Sequence, residues 1–495
     1  MPEEFATEVD VAVIGCGPVG ATLACLLGSM GVKTLVLESA PDIYQLPRAV
    51  HFDDEVMRIF QAAGIAAQLE PLTRRNPGTR FVDSEGELLL DWPRPQTITQ
   101  NGWRASYRFH QPDLEVILRD RIRALDNVEL RLNCEVTDLT QDGEGVTLTC
   151  RDHGTGQIHT ITSRFVVGCD GARSFTRRSI GSSMEDLGFR EKWLVVDLKL
   201  KQEMPVLGDF TIQHCDPDRP MTYVRCPRNW RRWEVSLEGI DDPDAMALEE
   251  NVWSLLSRWI TPDQASLERK AIYEFRSCMA RQWRNGRIFL AGDAAHQMPP
   301  FMGQGMCAGI RDVSNLAWKL TAGVREIRSE AFFDTYMSER APNLRQFIGM
   351  SVAMGKLLNN SGTAEELRAA FPQAGNDTAL KTIAPPLGPG LGDPANERVG
   401  RLVSQLRHGD GNLSDELLGG RPVLLVEQLG DHIGVPNNME TITSTDTDEK
   451  KRELCTAILA ETNSRAVLVR PDHYVFACAN SDEEIADALV RWGGI

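Results

Sequence analysis

The stretch GCGPVG at residues 15–20 decides the fold of this 495-residue chain. It follows the apolar, β-branched run VDVAVI at 9–14 and precedes ATLACLLGSMG at 21–31. A further apolar run, KTLVLE, comes at 33–38. A strand, a glycine turn, a helix and a second strand are the expected elements, so the sequence predicts a βαβ unit. Its G-x-G-x-x-G pattern is typical of a dinucleotide-binding turn.

The three glycines of this turn have separate physical roles. Gly15 permits the tight turn, Gly17 lets a phosphate approach the backbone, and Gly20 allows the helix to pack on the strand. Pro18 and Val19 open the helix, whose first N–H groups and positive dipole end can bind a pyrophosphate. The pattern therefore predicts a nucleotide at these residues.

Glu38 ends the second strand, about 20 residues after the turn, where an acid accepts hydrogen bonds from a ribose. Ser39 follows it as a neighbouring candidate contact. Because Glu38 would repel a 2′-phosphate, we expect an adenosine ribose with a free 2′-hydroxyl. A solvated glutamate at a strand end is the simpler alternative.

A second stretch, AGDAAHQMPPFMGQGMCAGIRDVSNLAWKL at 291–320, favours FAD over NAD. A nicotinamide dehydrogenase does not need such a segment, whereas FAD has a ribityl chain and a tricyclic ring to hold. Gly292 allows close approach, and Asp293 can accept hydrogen bonds from ribityl hydroxyls. Pro299 and Pro300 form a stiff wall that lacks N–H groups.

The Gly303-Gln304-Gly305 turn is predicted to open a helix that begins at Met306. Its N–H groups and positive dipole end would stabilise negative charge on a reduced flavin. Apolar residues at helical spacing bury one face of this helix: Met306, Ile310, Val313, Leu316, Ala317 and Leu320. A strand–loop–helix with an Asp cap and no ligand is the alternative.

Composition narrows the classes of function. Hydrophobic residues make up 42% and charged residues 25%, as in ordinary globular proteins. The net charge of −17 argues against nucleic acid and anionic membranes as partners. The eleven cysteines include no C-x-x-C pair, so we expect no metal site and a reducing compartment. The acidic N-terminus is unlike a signal peptide, and no apolar run reaches the ~18 residues of a membrane span, so a cytoplasmic protein is expected.

Three domains are predicted. Runs such as KWLVVDLKL and RRWEVSLEG indicate a separate antiparallel sheet. The proline- and glycine-rich run APPLGPGLGDP at 384–394 cannot hold a helix and indicates a linker to a small α/β domain. The predicted divisions are an FAD-binding domain at 1–75, 105–185 and 275–345, a substrate domain at 76–104 and 186–274, a helical segment and linker at 346–390, and a C-terminal domain at 391–495.

A third run, CDGARS at 169–174, completes three motifs that together resemble the class A FAD-dependent aromatic hydroxylases (flavoprotein monooxygenases). Runs such as SYRFHQPDLE at 106–115 look like the 3-(3-hydroxyphenyl)propionate hydroxylases. The resemblance implies that Asp170 and Gly171 contact the flavin pyrophosphate and help receive the nicotinamide cofactor. It implies that Arg48 and Gln111 contact FAD.

The resemblance also implies a fold and a reaction. The fold is α/β, with a Rossmann-like FAD-binding domain, an antiparallel-sheet substrate domain and a C-terminal thioredoxin-like domain without redox cysteines. The reaction is hydroxylation of a phenolic ring through a flavin C4a-hydroperoxide, with O2 and transiently bound NADH or NADPH, in aromatic catabolism. The expected substrate is 3-(3-hydroxyphenyl)propionate or a similar phenol. A polyketide, a quinolone-type heterocycle or another phenol stays open, and a homodimer is implied.

Candidate substrate residues lie in DFTIQHCDPDRPMTYVRCPRNW at 209–230. Arg225 could pair with a propionate carboxylate, and Tyr223 could hydrogen-bond a phenol. The candidate catalytic set is completed by His214, His51 and Pro299, and His296 lies beside the flavin loop. Each of these side chains also occurs at sheet edges and in loops without a role.

Two other classes of protein fit the sequence less well than a hydroxylase. A flavin-dependent halogenase would carry a W-x-W-x-I-P segment, which WRRWEVS does not supply. A non-enzymatic nucleotide-binding protein would not need a site for reduced flavin. Oxidation of NAD(P)H that a phenol stimulates would separate an enzyme from a scaffold.

Overall fold

The computed structural model describes residues 7–360, 365, 367, 369, 384–393, 395–430 and 432–494. The N-terminal residues 1–6 lie outside the described residues, as do residues 361–383, except 365, 367 and 369, of the helical segment and linker predicted at 346–390.

The chain alternates short strands with helices. The strands are β1 (Glu8–Ile14), β2 (Thr34–Leu37), β3 (His51–Asp53), β4 (Arg74–Arg75), β5 (Gly78–Val82), β6 (Leu88–Pro93), β7 (Ser106–Arg108), β8 (Val128–Arg131), β9 (Cys134–Gln141), β10 (Val146–Asp152), β11 (Ile158–Gly168), β12 (Met184–Leu200), β13 (Thr211–His214), β14 (Met221–Arg225), β15 (Trp230–Ser236), β16 (Ala265–Ala280), β17 (Arg284–Asn285), β18 (Ile288–Leu290), β19 (His296–Gln297), β20 (Val423–Val426), β21 (Glu440–Thr443), β22 (Ala466–Val469) and β23 (Val475–Ala479). The helices are α1 (Pro18–Ser29), α2 (Asp54–Ala62), α3 (Ala66–Leu69), α4 (Gln111–Arg123), α5 (Phe175–Ser179), α6 (Pro243–Met246), α7 (Glu249–Leu256), α8 (Gly305–Arg325), α9 (Glu330–Asn360), α10 (Asp415–Leu418), α11 (Glu449–Thr462) and α12 (Asp482–Gly493).

The first sheet has a parallel core in the order β18-β11-β1-β2-β8. Ile14 pairs with Leu37 on one side and with Gly168 on the other, and Gly168 pairs with Leu290. These strands therefore end at one edge of the sheet, and the loops that follow them meet there. The βαβ unit predicted from the glycine turn is confirmed.

The second sheet runs in the order β19-β16-β12-β15-β14-β13-β5-β6 and is antiparallel except for the β13–β5 pair. Side chains alternate between its two faces. The outer face packs on α7, where Val196 and Trp233 join Val252 and Leu256 in one buried cluster. The inner face turns towards the first sheet's loops. Trp193 of this face packs edge-on against Phe301, with ring centroids 5.3 Å apart.

Charged side chains of the inner face contact the loop after β2. Arg232 donates to both oxygens of Asp197 and to the carbonyls of Pro47 and Arg48, the latter at 2.8 Å. Arg269 donates to the Pro47 carbonyl at 2.6 Å. The second sheet thereby fixes the backbone of the segment that carries Arg48.

The C-terminal part forms a four-stranded sheet in the order β21-β20-β22-β23, in which only β20 and β21 are parallel. α11 lies between β21 and β22 in the chain, and α12 follows β23. Residues 384–393 form neither helix nor strand, as their prolines and glycines predict.

The C-terminal part packs on α8 and α9 through rings and buried charges. Trp492 of α12 stacks on Trp318 of α8, with centroids 5.9 Å apart. Glu339 of α9 accepts hydrogen bonds from Lys319 at 2.8 Å and from Arg470 at 2.9 Å. Burial opposes ionisation of Glu339, but Arg470 and Lys319 outweigh it and lower its pKa.

Other features concern the whole of the chain that the structure describes. All eleven cysteines are free thiols. No cluster of His, Cys, Asp and Glu within the described ranges is arranged to hold a metal ion. None of the described helices combines the length and apolar character needed to cross a membrane.

Candidate active site

The glycine turn packs against the loop after β11. Gly15 has φ +99°, and a Cβ there would lie 2.6 Å from the Cys169 carbonyl oxygen. A Cβ on Gly20 would lie 2.1 Å from the Gly15 carbonyl oxygen. Apart from its chain neighbours, no described residue has an atom within 4 Å of the Cβ position of Gly17, and none of the described side chains caps α1 before Pro18. The turn is tight on its protein side and open on the other, as a phosphate requires.

Glu38 lies directly beside this turn. Its Oε2 accepts a hydrogen bond from the Cys16 backbone N–H at 2.7 Å, and its Oε1 accepts from the Ala40 N–H at 2.8 Å. Ser39 Oγ is 3.4 Å from the same Oε1. The carboxylate is therefore held in place at the strand end, where a ribose is expected.

The Asp170–Gly171 turn lies at the end of β11, next to the glycine turn. Asp170 Oδ2 accepts hydrogen bonds from the Thr176 N–H at 2.9 Å and the Thr176 hydroxyl at 3.0 Å. Asp170 Oδ1 is buried without a partner. Gly171 has φ +75° and no atom within 4 Å of its Cβ position. Open space at Gly171 thus lies beside the glycine turn.

The Gly292–Asp293 turn follows β18 on the other side of β11. Gly292 has φ +62°, and its Cβ position is 3.2 Å from Val19 Cγ2 at the start of α1. The Asp293 side chain is exposed and makes no hydrogen bond to any described residue. Desolvation by the surrounding protein raises the pKa of Asp293, although the charges of His296 and Arg48 oppose this rise. The carboxylate is free to accept ligand hydroxyls.

Asp312 of α8 holds this turn in place. It accepts hydrogen bonds from the Gly292 N–H at 3.2 Å, His296 Nε2 at 2.5 Å and Arg340 Nε at 3.0 Å. Burial opposes ionisation of Asp312, but His296 and Arg340 outweigh it and lower the pKa. The structure therefore gives His296 a local role in anchoring the loop.

The Pro299–Gly305 segment leads into α8. The Pro299 carbonyl accepts from Ser351 Oγ at 2.9 Å, and Pro300 begins a single 3₁₀ turn. Gly303 has φ +64°, and a Cβ there would lie 2.9 Å from His51 Nδ1. α8 begins at Gly305 without a side-chain cap, so its first N–H groups are free for a ligand. Met306 in this first turn is partly buried.

Gln304, by contrast, turns its side chain into the protein. Its Nε2 donates to Asp53 Oδ2 at 3.1 Å, and its Oε1 accepts from Arg311 NH1 at 3.0 Å. Sequence reasoning missed Asp53 and Arg311, which lie about 250 residues apart in the chain. The side chain of Gln304 fixes the turn, and its backbone is what remains for a ligand.

Gln111 and Arg48 lie together. Gln111 Oε1 accepts from the backbone N–H groups of Arg48 at 2.9 Å and Ala49 at 2.8 Å, and its Nε2 donates to Glu115 at 2.7 Å. The Arg48 guanidinium has no hydrogen-bond partner in the described chain and lies 6.0 Å from the Tyr44 ring. Gln111 therefore positions the Arg48 segment, and Arg48 presents a free cation.

His51 lies between the α8 turn and the small sheet of β3, β7 and β4. Its Nε2 is 2.7 Å from Ser106 Oγ, and its Nδ1 is 3.4 Å from the Gly303 carbonyl oxygen. Burial and the nearby Arg94 lower the pKa of His51 to about 4. The ring is neutral near pH 7 and occupied at both nitrogens, which favours an anchoring role.

The predicted substrate residues of the second sheet lie on its outer face. Tyr223 pairs with Trp233 across the strands, and their rings are 4.9 Å apart. His214 packs on Trp259 at 4.9 Å, and burial followed by Arg258 lowers its pKa to about 4. Arg225 Nε is 3.2 Å from Asp209. The structure does not bring these three side chains to the cleft.

The cleft side of the sheet carries residues that sequence reasoning passed over. Thr222, one position from Tyr223, pairs with Gln213 and Glu234, and the Thr222 hydroxyl donates to Gln213 Oε1 at 2.5 Å. Glu234 makes no hydrogen bond to the described residues. Burial raises the pKa of Glu234, while Arg232, 3.7 Å away, opposes the rise. Alternation along each strand separates these residues from the Tyr223 set, but it does not say which of the two sets faces the cleft.

Arg94 is a second residue that the motifs did not indicate. It follows β6 directly, and its charge is near enough to lower the pKa of His51. Its Nε is buried without a partner, and its guanidinium makes no hydrogen bond within the described chain. Trp92, two residues earlier, belongs to the buried cluster on which Phe301 packs.

These features together fit FAD. Gly17 and Gly171 leave open space for a pyrophosphate, and the exposed Asp293 carboxylate and Arg48 guanidinium supply an acceptor and a cation. All come from loops at one edge of the parallel sheet, the place where such folds bind ligands. The fold and this cleft define a flavoprotein.

Comparison with known proteins then gives the class. The profile of the family described as "FAD binding domain" matches residues 8–351, and the chain belongs to this family. Its relatives there are aromatic-ring hydroxylases. A probable NADH-specific resorcinol 4-hydroxylase of Rhodococcus jostii is 41% identical over 72% of this chain and 67% of its own length. A 3-(3-hydroxy-phenyl)propionate/3-hydroxycinnamic acid hydroxylase of Burkholderia cenocepacia is 38% identical over 71% of this chain and 64% of its own length.

A solved structure supports the fold of the whole chain. The rebeccamycin biosynthetic enzyme RebC with reduced flavin superimposes with a TM-score of 0.80, covering 99% of this chain and 100% of RebC, at 21% identity. This likeness includes the C-terminal part. The resemblance to FAD-dependent aromatic hydroxylases that the three motifs indicated is confirmed.

Proposed function

We propose that this protein hydroxylates a phenolic ring, with 3-(3-hydroxyphenyl)propionate or a similar phenol as the substrate. One equivalent of NADH or NADPH gives up two electrons, one atom of O2 enters the ring, and the other leaves as water with the released protons. The observation that carries the proposal is the meeting of three loops, after β1, β11 and β18, at one edge of the parallel sheet. The loop after β2 begins at the same edge and is held by Arg232 and Arg269 of the second sheet.

FAD would be held along this cleft. The first N–H groups of α1, Glu38 and Arg48 would hold the adenosine diphosphate portion, and Asp293 would hold the ribityl chain. The free N–H groups at the start of α8 would face the ring. Bound FAD would supply the activation of O2 and the transfer of one oxygen atom. The other residues predicted from sequence to lie at the FAD site stay part of the proposal: Ser39, Gln111, Asp170, Gly171, Gly292, Pro299, Pro300, Gly303, Gln304, Gly305 and Met306.

The inner face would hold the phenol. Glu234 has a carboxylate without a hydrogen-bond partner and a raised pKa, so it is suited to accept the phenol proton. Trp193 and Phe301 supply an aromatic wall that excludes water. For a phenol with a carboxylate side chain, the unpaired guanidinium of Arg94 is the matching cation. His214, Tyr223 and Arg225 remain candidates from sequence only.

The experiment begins with purified protein and a substrate panel. FAD should bind with the yellow absorbance of a flavoprotein, and an added phenol should stimulate NAD(P)H oxidation with hydroxylated product formed in proportion. Resorcinol-type and carboxylated phenols belong in the panel, since the two relatives are named for those classes. Hydrogen peroxide must be measured as well, because NAD(P)H can be oxidised with release of peroxide and without hydroxylation of the phenol. Folded protein that takes up no added FAD would contradict the proposal.

Asp293 allows a direct test of the FAD site. Asp293→Ala should weaken FAD binding by about tenfold or more, because it removes a free carboxylate from the ribityl position. Asp293→Asn keeps an acceptor oxygen and should retain most of the affinity. Fluorescence titration of the apoproteins with FAD measures both. Full affinity in the alanine variant would remove this role.

The remaining proposals concern the whole protein. The strand order and directions of β20–β23, with α11 and α12, support a thioredoxin-like C-terminal domain. The domain boundaries, a homodimer and a cytoplasmic location stay predictions, which sedimentation and fractionation would test.

A further inference from the structure

The C-terminal domain reaches the proposed FAD site through a chain of hydrogen bonds. Tyr474, in the turn before β23, donates its hydroxyl to Glu55 Oε1 at 2.7 Å. Glu55 lies in the first turn of α2, and its Oε2 accepts from Arg311 Nε at 2.6 Å. The two contacts join residues 419 and 256 positions apart in sequence.

Arg311 carries the chain to the turn that opens α8. Its NH2 donates to Asp53 Oδ2 at 2.6 Å, and its NH1 donates to Gln304 Oε1 at 3.0 Å. Gln304 Nε2 completes the ring by donating to the same oxygen of Asp53 at 3.1 Å. Both polar ends of the Gln304 amide are thus fixed, directly between Gly303 and Gly305.

Every member of this chain is buried. Exposures are 7% for Tyr474, 6% for Glu55, 3% for Arg311 and 7% for Gln304. Burial opposes the charge on Arg311, but Asp53 and Glu55 outweigh it and raise its pKa well above the usual value. Burial, with the charge of Glu55, also raises the pKa of Tyr474. Tyr474 therefore remains a hydroxyl donor, and its loss would leave Glu55 Oε1 without a hydrogen-bond partner among the described residues.

We infer that Tyr474 is a positioning residue for the FAD-binding turn at Gly303–Gly305. The C-terminal domain lacks a redox pair of cysteines, yet it fixes the carboxylate that orients Arg311, and Arg311 fixes Gln304. Its role is to hold the first N–H groups of α8 in the direction that a flavin ring needs. This inference rests on the proposed FAD site.

The test compares Tyr474→Phe with Thr462→Val. The first variant keeps the ring and removes one hydroxyl. The second removes another buried hydroxyl of the same domain, which bonds only to carbonyls of its own helix α11. Hydrogen exchange is measured on the apoproteins by mass spectrometry, and FAD dissociation constants are measured by titration.

Tyr474→Phe should speed amide exchange by about tenfold at Gly303 and Ala308, whose N–H groups donate to the Pro300 and Gln304 carbonyls, and it should weaken FAD binding by about the same factor. Thr462→Val should change neither, even where both variants lower the melting temperature equally. Unchanged exchange and unchanged affinity in Tyr474→Phe would overturn the inference. Equal changes in both variants would also overturn it, because they would show general loosening of the domain. Failure of wild-type protein to bind FAD would instead refute the proposed function, and the exchange comparison would still decide the positioning role.

Discussion

Glu38 Oε2 accepts a hydrogen bond from the backbone N–H of Cys16 at 2.7 Å. The acid that the sequence indicates for a ribose therefore also fixes the middle of the glycine turn. A second hydrogen bond, from the Ala40 N–H at 2.8 Å, holds the other oxygen of the same carboxylate. In the proposed FAD site, one side chain would therefore both bind the ribose and fix the shape of the glycine turn.

Glu38→Ala is expected to weaken FAD binding by tenfold or more, because the ribose loses its acceptor and the Cys16 N–H loses its partner. Glu38→Gln keeps one acceptor oxygen and should lose less. Titration of the two apoproteins with FAD measures the difference. Equal losses in both variants would indicate that the negative charge, and not the acceptor, matters.

Glu234→Gln should lower kcat/KM for a phenol by about 10²-fold or more, since a general base contributes at least that factor. Arg225→Ala lies on the outer face of the same sheet and should change kcat/KM less than threefold. FAD affinity should be unchanged in both. A larger loss of kcat/KM in Arg225→Ala than in Glu234→Gln would contradict this assignment. It would favour the outer face, with Arg225 and Tyr223, as the substrate site.

Gly309→Ala should destabilise the protein by about 1–3 kcal/mol. The added Cβ would lie 2.7 Å from Val19 Cγ2 and 2.9 Å from Gly292 Cα, so α1, α8 or the Asp293 turn must shift. Gly349→Ala is the matched control in helix α9, where no atom lies within 4 Å, and it should stabilise by about 0.5–1 kcal/mol. Urea unfolding of the apoproteins measures both. A stabilising Gly309→Ala would show that the three segments are not tightly packed.

Asp54→Asn should stabilise the protein more at pH 7.5 than at pH 4. Burial and the adjacent Asp53 raise the pKa of Asp54 from 3.8 to about 6. Between these values the folded state binds more protons than the unfolded state, so this carboxyl's cost grows as pH rises and is complete above pH 6. The gain from Asn is then about 2–3 kcal/mol at most. Asn keeps an oxygen for the Thr99 and Asn101 donors.

The pKa of Asp53 is shifted in the opposite direction to that of its neighbour Asp54, so Asp53→Asn should have the opposite effect on stability. Burial opposes ionisation of Asp53, but Arg311 outweighs it and lowers the pKa. Asp53→Asn should therefore destabilise the protein at pH 7.5, because it leaves Arg311 with a weaker partner. Urea unfolding across pH 4–7.5 checks both variants. Parallel pH curves for wild type and Asp54→Asn would contradict the raised pKa.

The sequence was sufficient for the parallel sheet and its loops, because each signal there is local. A strand, a glycine turn, a helix and a second strand follow one another directly over residues 8–38, and a similar local pattern surrounds Asp293. The spacing of apolar residues, with glycine and proline at the ends of the elements, likewise predicts α1, α8 and the elements of the C-terminal part.

The inner face could not be chosen from sequence in the same way. Tyr223 and Thr222 differ by one position, and which of them faces the cleft depends on what covers each side of the sheet. The cover of the outer face, α7, comes from residues 249–256, after the strands themselves. The ring around Gln304 was also out of reach, because its members come from three distant parts of the chain.

Glu339 has a consequence for how the molecule comes apart. Its two oxygens bond Lys319 on one side and Arg470 of the C-terminal domain on the other. Proteolytic cleavage within 384–393 that released the C-terminal part would remove Arg470 from Glu339. The Glu339 carboxylate would then keep Lys319 as its remaining cationic partner among the described residues. We therefore expect the C-terminal part and the rest of the protein to unfold together, in one cooperative thermal transition.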